Sequence, residues 1–499
     1  MRIPPLICED KPYPNAVIPA SGEGALANSS VGKPKISDIF ILTAAPLVRQ
    51  LLRVGFVLIV ARVLGPENFG TYALIFAMIE LLAVASGAGY IDYLTRETAR
   101  DKHAGWGLSF QLSWLRIAIA VPAAAAEIGI LFLLGYPRLV LASTAAMALT
   151  IVPRALSEAT QGVLRGVRRY DLYLIIELVG GLTLLGGGCF LLVLGGGLPV
   201  VVITEIAAAA VAAAVALALT LRLRMVKKVR LGWRKLVAKT LVFNIYPFTS
   251  NLYNRVDVIL LSKLAGNYAT GIYSIVYRVL GVSQLLPYGV LYSLLPSISR
   301  DQWSEAEKRR LERAMGLLLN LAFVVVLATL IFGGPVVRLL LGARYLDSIP
   351  VLDILIWATI PMYLNFALNL GLLATGRERA FVSTSSVCFA VNFIGNLILI
   401  PLFSWRAAAF MTIVTELILL AQNAFWIRRT VGRILIPLGA VRTTAAFLAL
   451  VSVAWVVGRL VSAPVIGVAC LLFFLIYLYR TGLISEFVAV WHTERSPSS

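Results

Sequence analysis

Apolar runs of about 20 residues recur along almost the whole chain, and no other feature limits its fold so strongly. A helix of that length rises about 30 Å, the thickness of a bilayer's hydrocarbon core. Fourteen such runs can be marked: 38–63, 70–94, 108–134, 139–163, 173–196, 198–221, 240–264, 271–297, 314–335, 350–374, 381–403, 405–427, 440–461 and 463–480. Inside lipid every backbone N–H and C=O must be bonded within its own segment, so the runs read as helices. The expected architecture is an all-α polytopic membrane protein with about 14 transmembrane helices. Runs 13 and 14 are short and closely joined, which leaves 12 or 13 helices open. The chain is 59% hydrophobic and 14% charged, against about 45–50% and 25% for soluble proteins. No long polar stretch follows residue 40, so a sizeable soluble domain has no room.

The net charge of +19 would suit a nucleic-acid binder if the basic residues formed one surface. They sit instead in short clusters between apolar runs. With the N-terminus inside, 31 of the 44 Lys and Arg fall in cytoplasmic segments, 7 in outer loops and 6 within the runs. That bias alternates loop by loop, as the positive-inside rule requires, and puts both termini in the cytoplasm. Residues 1–37 carry Pro4, Pro5, Pro12, Pro14 and Pro19 and no continuous apolar core. They read as a disordered cytoplasmic tail, not a signal peptide. Cys8, Cys189, Cys388 and Cys470 are far apart, and His103 and His492 lie outside the runs. Neither a disulfide framework, a metal site, a cofactor nor a histidine relay is expected.

The chain also repeats itself. LIVARVLGPENFGTYALIFA, across runs 1 and 2, parallels VILLSKLAGNYATGIYSIVY across runs 7 and 8. Gly70-Thr71-Tyr72 thereby meets Gly271-Ile272-Tyr273, and Gly162-Val163-Leu164-Arg165-Gly166 meets Gly371 through Gly376 at a similar offset. Two six-helix lobes plus two C-terminal helices follow from this reading. Residues 38–222 form the N-terminal lobe, 223–239 a basic cytoplasmic linker and 240–427 the C-terminal lobe. Runs 13 and 14 fall in 428–480, and 481–499 is a cytoplasmic tail.

The string Ala61 through Tyr72 (ARVLGPENFGTY) resembles the hallmark of Wzx-type polysaccharide and O-antigen flippases, members of the multidrug/oligosaccharidyl-lipid/polysaccharide exporter superfamily. Asn254-Arg255-Val256-Asp257 through Ser274 resembles its counterpart in the second lobe. The resemblance spans roughly residues 36–430. It implies alternating access of two lobes around a central cavity and translocation of a polyprenyl-diphosphate-linked oligosaccharide to the outer face of a bacterial inner membrane. It also implies a pathway leading to O-antigen, capsule or exopolysaccharide, with a polysaccharide polymerase as a possible partner beside the membrane lipids. Physically, LGPENFG is a tight connector in which Pro66 ends regular helix geometry.

Charges within the runs are costly, about 2.5–3.5 kcal/mol each on insertion scales, and so mark cavities or partners. The bases are Arg49, Arg53, Arg116, Arg154, Arg255 and Arg278; the acids include Glu80, Glu127, Glu158, Glu177, Glu205, Asp257 and Glu416. Arg49 and Arg53 share one face of run 1. They suit a diphosphate, which accepts paired donors from planar guanidiniums; the alternative is a structural pair with Glu80. Arg154 and Glu158 are at i, i+4 spacing, the default for a local ion pair. Arg116 reads as either an interfacial side chain or a cavity residue, and Arg278 is within reach of Asp257. Substrate-binding candidates are Arg49, Arg53, Arg154, Arg255 and Arg278. Coupling or ion-pair candidates are Glu80, Glu158, Asp257 and Glu416. Asn365 with Asn369, and Asn392 with Asn396, suit interhelical hydrogen bonds better than sugar contacts.

Two other function classes compete. A multidrug antiporter of the same superfamily would want an acidic or aromatic cavity for cations. A membrane glycosyltransferase or polymerase would want a large outer loop or a DxD-type acid pair, and none occurs in the outer loops. No catalytic residue is assigned.

Overall fold

In the computed structural model, residues 36–87, 89–223, 232–287, 305–375, 378–432, 442–450 and 463–480 are described, and among them the only secondary structure is helical. The 481–499 tail, most of the 1–37 tail, most of run 13, the far end of run 8 and residues 224–231 of the basic linker lie outside the described residues.

The first helix, α1 (Ile36–Ala85), is two runs joined at Gly65, whose φ of 72° and ψ of 171° belong to no helix. This backbone region is open to glycine alone, and Pro66 starts the second half with its φ already helical. The two halves fold back on each other: the Arg53 guanidinium, 12 residues before Gly65, lies 4.4 Å from the ring centroid of Phe76, 11 residues after it. Runs 1 and 2 are therefore an antiparallel hairpin.

The chain continues through α2 (Tyr90–Arg100), α3 (Lys102–Leu133), α4 (Arg138–Ala148), α5 (Ile151–Gly166), α6 (Tyr170–Leu194), α7 (Leu198–Leu223), α8 (Trp233–Leu264) and α9 (Gly266–Ser283). Beyond them lie α10 (Glu305–Leu340), α11 (Ser348–Leu355), α12 (Thr359–Ala374), α13 (Glu378–Phe403), α14 (Trp405–Thr430) and α15 (Ala463–Arg480). Nine segments among the described residues are long and apolar enough to cross a membrane. The first of them, Ala44–Arg100, contains the Gly65 hairpin. Helices α8 and α9, at runs 7 and 8, are not among the nine: α8 carries Asn244, Asn251, Asn254, Arg255 and Asp257 within its central turns, and run 8 is described only as far as residue 287.

Run 4 is not continuous. Pro153 has no N–H to give the Leu149 carbonyl, and its ring crowds that carbonyl. The Val152 N–H bonds Leu149 O instead, at 3.2 Å, and the helix tightens between α4 and α5. Pro361 follows a similar tight turn, Ile356–Ala358, within run 10. The two prolines are 208 positions apart, close to the offset between Gly162 and Gly371.

The burial pattern is that of a membrane protein. Phe132, Leu133, Ile394, Ile398, Phe410 and Leu417 are exposed on outward faces, while Arg116, Glu177, Glu205, Asp257, Glu416 and five asparagines are buried. Helix α1 packs on α6, α3 on α5, and α7 on α5 and α6; later, α8 packs on α13, and α14 on α12 and α13. Between these sets α1 packs on α8 and α9, and α2 on α8. At the hairpin end the approach is closest, for a Cβ on Gly70 would strike the Asn267 carbonyl and one on Gly271 the Pro66 carbonyl.

Candidate functional site

Four helices bring the arginines of the first half together. From the first half of α1, Arg53 donates to Glu205 on α7 at 2.8 and 3.4 Å. Arg154, in the first turn of α5 just past the Pro153 break, lies 3.7 Å from the other oxygen of the same carboxylate. The Tyr72 hydroxyl donates to Glu205 as well, at 2.8 Å. One buried carboxylate thus serves two guanidiniums and a phenol. A turn away, Arg49 reaches Glu177 on α6 at 3.3 Å, with 54% of its side chain still exposed.

Two further pairs flank this group. Arg116 on α3 binds Glu158 on α5 and donates to the Tyr90 hydroxyl at 2.8 Å. Arg255 on α8 pairs with Glu80 on the second half of α1 at 2.5 Å, an ion pair between the two sets of helices. Arg278 on α9 has no carboxylate within ion-pair distance among the described residues and lies over Phe76, 4.2 Å from its centroid. Phe76 therefore contacts Arg53 and Arg278 together. Among the described residues, five of the six guanidiniums in the apolar runs share four carboxylates, and the sixth, Arg278, pairs with none.

The second half is built differently. Asp257 accepts from the Tyr273 hydroxyl and from the Val258 N–H, the latter at 2.8 Å. Glu416 accepts from the Tyr253 hydroxyl at 2.8 Å and from Asn365 at 2.9 Å. Asn423 bonds Asn365 and Asn369 at 3.1 and 3.0 Å, tying α14 to α12. Asn396 donates to Asn392 within α13 at 2.6 Å. Neither Asp257 nor Glu416 has an ion-pair partner among the described residues; neutral donors hold both.

A family model described as polysaccharide biosynthesis protein matches residues 36–302, over half of the chain. The chain belongs to the polysaccharide biosynthesis protein family. No curated protein matches it in sequence. Among solved structures, this polysaccharide biosynthesis protein is similar to the lipid II flippase MurJ in an inward closed conformation. That match has a TM-score of 0.68 and 13% identity, covering 89% of this chain and 99% of the other. It is also similar to an inward-facing multidrug resistance MATE family transporter of the MOP superfamily, with TM-score 0.61, 13% identity and coverage of 79% and 97%. A third likeness, to the MATE multidrug transporter DinF-BH, has TM-score 0.58, 14% identity and coverage of 79% and 95%. The fold is that of transporters in this superfamily.

Within this family member, several pairings differ from those the spacing suggested. Glu80 is the partner of Arg255, not of Arg49 or Arg53. Glu158 turns to Arg116 rather than to Arg154, because α3 packs directly on α5 and its guanidinium is the nearer. Arg116 is only 3% exposed, so it does not reach out to an interface. Arg278 stacks on Phe76 and leaves Asp257 to Tyr273. The residues that complete the site, Glu177 and Glu205 aside, are Tyr72, Phe76, Tyr90, Tyr253 and Tyr273, none of which carries a charge to flag it. Tyr72 and Tyr273 were nevertheless visible as equivalents in the repeat.

Proposed function

We propose that this chain is a flippase that carries a polyprenyl-diphosphate-linked oligosaccharide from the cytoplasmic to the outer face of a bacterial inner membrane. On this reading spans 1–6 and 7–12 are lobes that alternate access to the cavity between them. The observation that carries it is the excess of cation around the α1 hairpin: Arg53 and Arg154 divide one carboxylate, and Arg278 has none among the described residues. Guanidiniums left under-neutralised in a low-dielectric site attract an anion strongly. A diphosphate brings about two charges and oxygens that accept paired N–H donors. Half-exposed Arg49 is placed for first contact, with Arg53 and Arg154 deeper. The chain acts here as a transporter and not as an enzyme.

The experiment compares membrane-inserted protein with surface polysaccharide in Arg49→Ala, Arg53→Ala and the two Lys versions. Loss of polysaccharide at normal protein abundance is expected for the alanine variants, with a milder loss for lysine, which keeps charge without the planar fork. A double alanine variant with normal abundance and normal polysaccharide would sink the reading.

The multidrug-antiporter reading draws on Asp257 and Glu416, two buried acids without cationic partners among the described residues, near Tyr253 and Tyr273. It leaves the arginine excess without a ligand, and for that reason the flippase reading is preferred.

A further inference from the structure

An offset of 201 residues places Pro46 on Pro247, Gly70 on Gly271 and Tyr72 on Tyr273. The same offset places Arg49 on Ser250, Gln50 on Asn251, Arg53 on Asn254 and Phe76 on Tyr277. The spatial relation is kept while the chemistry changes. Arg53 lies over the ring of Phe76; at the equivalent place, Asn254 Oδ1 accepts a hydrogen bond from the Tyr277 hydroxyl at 3.5 Å. Where one half of the molecule presents guanidiniums, the other presents a hydroxyl, two amides and a phenol ring.

These groups have capacity to spare. Ser250, Asn251, Asn254 and Tyr277 are half-buried, unlike Tyr253 and Tyr273, which are buried and hold carboxylates. Asn251 spends an amide proton on the Pro247 carbonyl at 3.0 Å, and its Oδ1 has no partner among the described residues. Asn254 donates to the Ser250 carbonyl at 2.8 Å and, through a long and readily exchanged contact of 3.5 Å, to the Ser250 hydroxyl. The Tyr277–Asn254 bond is long enough to be exchanged for a better one at small cost. Arg278, beside Tyr277 on α9, reaches Phe76 on the hairpin, so the neutral face adjoins the charged one.

A glycosylated diphosphate has the same division. Its diphosphate needs cations, and its sugars offer uncharged hydroxyls and apolar ring faces, which amides, hydroxyls and an aromatic ring recognise. We propose that Ser250, Asn251, Asn254 and Tyr277 form a carbohydrate subsite for the sugars next to the diphosphate, opposite the anion site of Arg49 and Arg53. This rests on the flippase reading above.

The test uses the full chain in lipid nanodiscs and two kinds of probe: undecaprenyl diphosphate without sugar, and the same lipid bearing one N-acetylglucosamine or one galactose. Wild type should bind a sugar-bearing probe at least tenfold more tightly than the bare lipid. Asn254→Ala with Tyr277→Leu should abolish that difference and leave affinity for the bare lipid unchanged. Where that pair of changes lowers the amount of folded protein, Ser250→Ala with Asn251→Ala reads the same difference. The subsite is refuted if wild type gains nothing from either sugar, or if the α8 variants keep the full gain or weaken all probes alike. Arg49→Gln with Arg53→Gln separately weakens every probe, the bare lipid included. Unchanged bare-lipid affinity in that variant would instead refute the anion site, and with it the flippase reading.

Discussion

Glu205 is the residue on which the charged site turns, since Arg53, Arg154 and Tyr72 all converge on it. Removing one partner of a buried ion pair leaves the other uncompensated, at about 3–5 kcal/mol. Glu205→Gln should therefore cut the yield of folded, membrane-inserted protein and lower its melting temperature in detergent, whatever it does to transport. Tyr72→Phe removes one hydrogen bond to the same carboxylate and should cost about 1–3 kcal/mol. Arg278→Gln makes the contrast, because that guanidinium has no carboxylate to strand among the described residues: abundance should be normal and polysaccharide export reduced. Equal losses of protein in the Glu205 and Arg278 variants would show that Arg278 is a packing residue. At this scale the sequence marks which residues are costly, since any charge in an apolar run is visible. It does not mark partners, because Arg53 and Glu205 are 152 positions apart and only packing of α1 near α7 brings them together. The i, i+4 pairing of Arg154 with Glu158 fails for the same reason, as a third helix supplied a nearer cation.

The helices themselves were more legible, because twenty apolar residues in a row have few alternatives in lipid. The Gly65 connector could be read from LGPENFG, and its φ and ψ show why the glycine is needed there. A Cβ at Gly65 would meet only Arg344, at 3.6 Å or more, so the penalty for Gly65→Ala is one of backbone conformation rather than collision. Such a conformation costs about 1–3 kcal/mol in any other residue, and the variant should melt several degrees below wild type in detergent. Gly129→Ala is the control: it sits within α3 with nothing near its Cβ position, and a helical alanine is favourable by about 1 kcal/mol. If the two variants melt together, Gly65 is not strained. Less legible was the tightening of run 4, where hydropathy is continuous and the missing Pro153 N–H alone redirects the backbone bonds. The polar face of α8 was also obscure, since its separate Asn and Ser residues lower the apolarity of run 7 without forming a motif.

For the whole molecule the decisive contact is where the α1 hairpin meets the α8–α9 connection. Gly70 and Gly271, equivalent in sequence, pack backbone to backbone at the hairpin end, and each has the other's chain where its Cβ would lie. Around them the Tyr345 hydroxyl donates to the Ala61 carbonyl at 2.9 Å, Arg62 to the Leu339 carbonyl at 3.3 Å, and Tyr136 to Ser262 at 3.2 Å. If the halves alternate, this end must part and close again in every cycle, and the closed state needs both glycines. Gly271→Val puts side-chain atoms against the Pro66 carbonyl, which is main chain and cannot rotate aside. The expected result is protein of normal abundance whose hairpin end is held apart, with export of polysaccharide lost. A single cysteine at position 269, buried beside the contact, reports the change once the four native cysteines are replaced. With the N-terminus in the cytoplasm, as the proposed function has it, a membrane-impermeant maleimide added from the outer side of cells should label it slowly in the parent and at least several-fold faster in the Gly271→Val background. Equal labelling with export intact would mean that the glycine contact is not a gate, and the repeat would then govern packing without governing movement.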